Sequence, residues 1–274
     1  MALLVGLDVG STTTKVYAMH EDMTEAWWGY RRHGACQTAS VRAMLGELAE
    51  CFPHESLRVA VTRSGARDIA TALGASYVQE VVANALAISR FYPQTRCAIE
   101  LGGQDAKMIF FRTNDKGDIE VADMRMNGSC AGGTGAFIDQ MATLLNITPD
   151  ELNELAKEHE KIYTIASRCG VFAKSDIQPL LNQGALKKDV AASILYAVVN
   201  QTVAGLAQGR EIAGKVVYLG GPMTFLSELR AAFDDTLGIT GICPENSLYF
   251  VALGAAFASN DPAVPLKTLI NSIA

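Results

Sequence analysis

Gly6-Leu-Asp-Val-Gly-Ser-Thr-Thr-Thr-Lys15 is the stretch on which the fold turns. An apolar run at residues 3–9 enters it and an apolar run at 16–19 leaves it. The glycine turn therefore joins two strands as a hairpin. Roughly ninety residues later the same design recurs. Residues 97–101 run into Glu100-Leu-Gly-Gly-Gln-Asp-Ala-Lys107, and residues 107–111 resume as a strand, with another at 119–124. Strand, acid-bearing glycine turn and strand are written twice, which predicts an internal duplication.

The composition of both turns suits phosphate. A turn wraps phosphate oxygens only when successive backbone N–H groups point one way and no Cβ blocks the approach. Gly10, Ser11, Thr12 and Thr13 would cradle the β/γ end of a nucleotide, and Lys15 would neutralise its charge. Asp8 cannot meet phosphate favourably by itself and reads as a Mg²⁺ partner through water. In the second turn, Gly102, Gly103, Gln104 and Asp105 are expected to face the first. Glu100 and Asp105 would complete the acids, and Gln104, both donor and acceptor, would orient an attacking water. A single such turn is as readily a plain hairpin. Two of them, followed by Gly220, Gly221 and Pro222 at the end of a strand at 215–219, favour a nucleotide site. Neither a Walker loop nor a Rossmann fingerprint is present.

The bulk properties narrow the partners. A net charge of −6 without a long basic run argues against nucleic acid. No run of about 18 uninterrupted apolar residues predicts a membrane span. The first residues read as a strand with no basic leader, so a cytoplasmic location is expected. In a reducing compartment the six cysteines are expected as thiols, with Cys51 and Cys97 buried. The four histidines, His20, His33, His54 and His159, lack metal-ligand spacing and are expected on the surface or in loops. Trp27 and Trp28 are expected on the second arm of the first hairpin, packing within its lobe.

Helical spacing predicts helices at 38–51, 66–73, 80–91, 135–145, 148–158, 171–181, 187–209 and 224–233, and a last one at 247–258 whose small residues permit close packing. The chain is read as a first lobe at 1–95, a second lobe at 96–258 whose last helix can return to the first, and a tail at 259–274. No linker-like segment separates the lobes, which are expected to join tightly around a cleft.

Two cysteines occupy matching positions ahead of predicted helices. They are Cys130 in Met126-Asn-Gly-Ser-Cys-Ala-Gly-Gly-Thr-Gly135, where Gly133 counts with the nucleotide glycines, and Cys169 in Ala166-Ser-Arg-Cys-Gly-Val-Phe-Ala173. A helix N-terminus favours thiolate. An iron–sulfur cluster ordinarily takes four thiolates, which a twofold dimer would supply from two per chain. Unconnected core thiols, a redox pair and intersubunit zinc remain open on spacing alone.

With its two phosphate turns the chain resembles the actin, sugar kinase and heat-shock-70 ATPase superfold, an α/β fold of two duplicated lobes around a nucleotide cleft. With the two cysteine motifs added, residues 3–258 resemble one family: the ATP-dependent activators of 2-hydroxyacyl-CoA dehydratases and their benzoyl-CoA reductase relatives. The stretch at 165–179 looks closest to the activator domains of long fused members. The resemblance implies ATP/ADP and Mg²⁺ in the cleft. It also implies a homodimer with one [4Fe-4S] cluster bridging Cys130 and Cys169 of two subunits. A ferredoxin- or flavodoxin-like donor would supply it, and a dehydratase or reductase iron–sulfur protein would accept a low-potential electron as ATP is hydrolysed. Asn84 stands where relatives often have His, and Arg63 where they often have Gly, so neither is given a catalytic role. A metabolite kinase of the same superfold and a non-enzymatic nucleotide switch are the alternatives. A kinase wants a sugar-binding insert, and a switch leaves Cys130 and Cys169 unexplained.

Overall fold

Strand β1 (Ala2–Val9) is buried along nearly its whole length because helices cover both faces of its sheet. Leu3, Val5 and Leu7 point to one side and join a core with residues of α1 (Gln37–Cys51) and α11 (Leu266–Ser272). Leu4, Gly6 and Asp8 alternate to the other side, where α10 (Phe250–Phe257) lies against Gly6. The computed structural model describes residues 2–127, 132–166 and 170–273, so Cys130 and Cys169 lie outside the described residues.

Two units make up the chain, Met1–Pro93 with Tyr249–Ala274, and Gln94–Leu248. In the first, β2 (Thr13–Met19) and β3 (Glu25–Arg32) extend β1 as antiparallel neighbours, and β4 (Ser56–Thr62) lies parallel on its other side. The remaining helices are α2 (Arg67–Leu73) and α3 (Glu80–Phe91), with the short β5 (Ser76–Val78) between them beside β4. In the second unit, β6 (Thr95–Leu101), β7 (Ala106–Thr113) and β8 (Ile119–Asn127) form the same antiparallel run, and β9 (Lys215–Leu219) is parallel to β6. The spatial orders β3-β2-β1-β4 and β8-β7-β6-β9 correspond, one for one.

The second unit is helix-rich. The helices α4 (Gly135–Leu144), α5 (Pro149–Ala156) and α6 (Gly170–Asn182) precede α7 (Lys187–Leu206), which is buried almost all round. Among the described residues, α7 is the one helix long and apolar enough to cross a membrane, and 67% of its apolar window is buried in this core. Helix α5 starts on a capping box, Thr148 Oγ1 accepting from the Glu151 N–H while Glu151 reaches back to the Thr148 N–H.

Several expectations need correction. The helix foreseen at 224–233 is two, α8 (Gly221–Phe225) and α9 (Ser227–Leu237), because Leu226 is extended between them. Helix α10 is not the last: β10 (Val264–Pro265) pairs with Ser56 and Leu57, and α11 follows. Trp27 and Trp28 lie on a third strand, β3; Trp27 packs on the core while Trp28 is exposed. Cys97 is buried as foreseen, and burial pushes its thiol up to about 12. Cys51, by contrast, is exposed, since α1 ends at this residue and the apolar stripe Val41, Met44, Leu45, Leu48 stops short of it.

Candidate functional site

The Asp8 to Lys15 turn belongs to the first unit. The N–H of Gly10 donates to the Thr13 carbonyl at 2.9 Å, which closes the loop between β1 and β2. Asp8 and Lys15 are directly opposed in the ladder, so Lys15 Nζ reaches Asp8 Oδ2 at 3.1 Å. Both are buried, Asp8 completely. A charge removed from water survives only with partners, and Asp8 has a second one. The register places Thr62 of β4 beside Asp8, and the next residue, Arg63, donates Nε to Asp8 Oδ1 at 2.5 Å. Arg63 also holds Glu80, at the start of α3, through Nη1 at 2.6 Å. Its backbone sits at φ +80°, a region that costs a non-glycine residue about 1–3 kcal/mol.

Sequence reasoning missed both Arg63 and His33. The departure from glycine at position 63 was the one available signal for Arg63. His33 lies in the loop after β3, within the surface or loop placement expected, but it is buried there. Its backbone N–H donates to the Thr12 carbonyl at 3.2 Å, and Ala35 N–H donates to Nδ1 at 3.1 Å. With Nδ1 accepting, the ring proton is assigned to Nε2, which donates to the Gly10 carbonyl at 2.9 Å. His33 thus clips the turn from the end of β3, a place set by the pairing of Thr13 with Arg32. No local pattern announces it.

The Glu100 to Lys107 turn belongs to the second unit and repeats the design. Gly102 N–H donates to the Asp105 carbonyl at 2.8 Å, and Glu100 opposes Lys107 in the ladder. Lys107 Nζ turns to Asp105 at 2.5 Å, while Glu100 is buried and Gln104 exposed. The first amides of α4 lie on this turn, Gly135 N–H donating to Gly102 O at 3.0 Å and Ala136 N–H to Gly103 O at 2.8 Å. A Cβ on Gly135 would stand 3.2 Å from Pro222, so the 220–222 segment meets the same place. Gly220, at φ +90°, comes so near β6 that a Cβ would fall 2.1 Å from the Leu101 carbonyl. Gly133, at φ +77°, lies against Thr202 of α7. The structure therefore gathers Gly102, Gly103, Gln104, Asp105, Gly220 and Pro222 in the second unit, and Asp8, Gly10 to Thr13 and Lys15 in the first.

Comparisons with known proteins give the family and the fold. Residues 5–259 match the model of the BadF/BadG/BcrA/BcrD ATPase family. The chain is 28% identical to the (R)-2-hydroxyglutaryl-CoA dehydratase activating ATPase of Acidaminococcus fermentans, over 92% of this chain and 95% of that protein. The solved activator of the 2-hydroxyisocaproyl-CoA dehydratase from Clostridium difficile, with bound ADPNP, superposes with a TM-score of 0.83 at 26% identity, covering 94% of each chain. A ROK family glucokinase from Streptomyces griseus shares the fold alone, with a TM-score of 0.54 at 14% identity over 94% of this chain and 99% of that one. The fold is that of the actin, sugar kinase and heat-shock-70 ATPases, and the chain belongs to the BadF/BadG/BcrA/BcrD ATPase family.

Proposed function

We propose that this ATPase couples ATP hydrolysis to delivery of a low-potential electron to an iron–sulfur partner of the 2-hydroxyacyl-CoA dehydratase or benzoyl-CoA reductase kind. The observation that carries this reading is the setting of the two cysteine motifs. Helix α6 begins at Gly170, immediately after Cys169, and its next residues Val171 and Phe172 are 72% and 65% exposed. Met126, four residues before Cys130, is 52% exposed. Exposed apolar side chains close in sequence to both cysteines suit a face covered by a second copy of the chain. Two thiols per chain match half the donor set of a [4Fe-4S] cluster, which when bound would supply one-electron chemistry. A flavodoxin- or ferredoxin-like protein would be the donor, and the chain would work in the cytoplasm.

The chain's own residues have separate tasks. The amides and hydroxyls of Gly10, Ser11, Thr12 and Thr13 would bind nucleotide phosphates, with Lys15 as counter-charge. Gly102, Gly103, Gly133, Gly220, Gly221 and Pro222 would leave backbone room for ATP or ADP. Glu100, Gln104 and Asp105 would arrange the water, Gln104 being the exposed one of the three. Gln104→Ala is expected to lower ATP turnover about 100-fold while ADP affinity stays within a factor of about two. Steady-state phosphate release beside calorimetric ADP binding measures both, and unchanged turnover removes Gln104 from this role.

An allosteric coupling of ~1–3 kcal/mol amounts to at most roughly 130 mV for one electron. Any larger drive must come from hydrolysis and partner binding together.

The test is iron and acid-labile sulfide on protein purified without oxygen. About two irons per chain, in a dimer, are expected for wild type and none for Cys130→Ala. A monomer that takes up no iron under anaerobic reconstitution overturns the electron-transfer reading and leaves a kinase or nucleotide switch.

A further inference from the structure

We propose that Arg63 occupies the cation position beside Asp8, so that nucleotide binding at the first turn depends on this guanidinium and not on a divalent ion held through Asp8. The inference rests on the nucleotide reading of that turn. It starts from a misfit: the Asp8 carboxylate, foreseen as a water-mediated Mg²⁺ partner, already accepts from Lys15 Nζ at 3.1 Å and from Arg63 Nε at 2.5 Å.

Four named groups make a continuous chain, Lys15 to Asp8 to Arg63 to Glu80. Within this row the two cations alternate with the two carboxylates, so each carboxylate already faces a fixed positive charge. The side chains are only 9%, 1%, 12% and 16% exposed, respectively. A hydrated Mg²⁺ gives up water reluctantly and prefers oxygen ligands. Even through one of its waters, it would have to approach a carboxylate flanked by two cations, each already holding one of the two oxygens. Arginine suits the place: it stays charged, donates Nε to Asp8 and keeps Nη1 at ion-pair distance from Glu80. The same side chain runs beside the phosphate turn, its Cδ 3.6 Å from where a Cβ on Gly10 would stand. Its guanidinium therefore lies next to the backbone assigned to the phosphates, held there by Asp8 and Glu80. At φ +80° glycine would meet the backbone more easily than arginine does.

The experiment is calorimetric ADP binding to the intact protein, in EDTA and in Mg²⁺, for wild type, Arg63→Gly and Arg63→Lys. Glycine fits the backbone, so Arg63→Gly should fold, which a thermal melt verifies. Wild-type Kd is expected to differ by less than about threefold between the two buffers. Arg63→Gly should bind about tenfold or more weakly in EDTA and recover in Mg²⁺, with Arg63→Lys between, since lysine keeps the charge but not the fork. A purely structural role would not produce this dependence on metal. If wild type loses ADP in EDTA as fully as Arg63→Gly, or if both ignore Mg²⁺, the proposal is overturned while the nucleotide reading stands. If no variant binds ADP in either buffer, the nucleotide reading falls and this proposal with it.

Discussion

Gly254→Ala is expected to melt the first unit at least roughly 10 °C below wild type, a loss of about 3 kcal/mol. A Cβ at Gly254 would stand 1.8 Å from the Ala83 carbonyl oxygen and 2.5 Å from its carbon. These are backbone atoms of α3, so no side-chain rotation relieves the clash. The opposite side of α10 is just as close to the sheet, where a Cβ on Gly6 would fall 1.8 Å from the Ala252 carbonyl oxygen. Helix α10 is therefore wedged between β1 and α3 with a glycine at each contact. Pushing it away from one neighbour drives it into the other. Since Asp8 is the penultimate residue of β1, the shift should also weaken the nucleotide binding proposed for the turn that follows. Circular dichroism melts measure the effect, and a change under about 2 °C would show that the helix has room to move.

Asp8→Ala should be comparably severe, for an electrostatic reason. It takes away the carboxylate shared by Lys15 and Arg63, whose side chains are 9% and 12% exposed. Removing one partner of a buried ion pair costs about 3–5 kcal/mol; Arg63 retains Glu80, so the lower end is expected. The loss should not add to that of Arg63→Gly. With the guanidinium already gone, deleting the carboxylate strands one cation instead of two. The double variant is therefore expected to be at least about 1 kcal/mol more stable than the sum of the single changes predicts. Denaturant melts of the four proteins of the cycle give this number, and strict additivity would show that Asp8 and Arg63 are not coupled. ATP turnover should fall about 100-fold or more in Asp8→Ala, because the cations beside the turn proposed to bind phosphate lose their anchor.

Local pattern was enough for the repeated hairpins. The apolar runs into Asp8-Val-Gly-Ser and Glu100-Leu-Gly-Gly are short-range signals, and glycine at a tight turn is a local necessity. The acid and lysine of each turn are seven residues apart in both copies, a spacing that puts them opposite one another once the hairpin closes. The small residues of α10 likewise announced close packing, though not against what. The cysteine motifs, too, were legible as sequence, and their assignment to a shared cluster stays a proposal.

Other features were invisible because they depend on which distant strands become neighbours. Arg63 reaches Asp8 only because β4 lies parallel to β1 with Thr62 beside Asp8. His33 clips Gly10 only because β3 closes on β2. The segment 259–274 looked like a tail because a two-residue strand has no periodicity to detect, yet it pairs with β4 and ends in a helix that fills the core. Cys51 followed an apolar spacing that the end of its helix cut short. The duplicated turns were set locally, since glycine freedom and hydrophobic period act within a few residues. Which charges meet Asp8 was left to the folded arrangement, because that is set by strand order across some fifty residues of intervening chain.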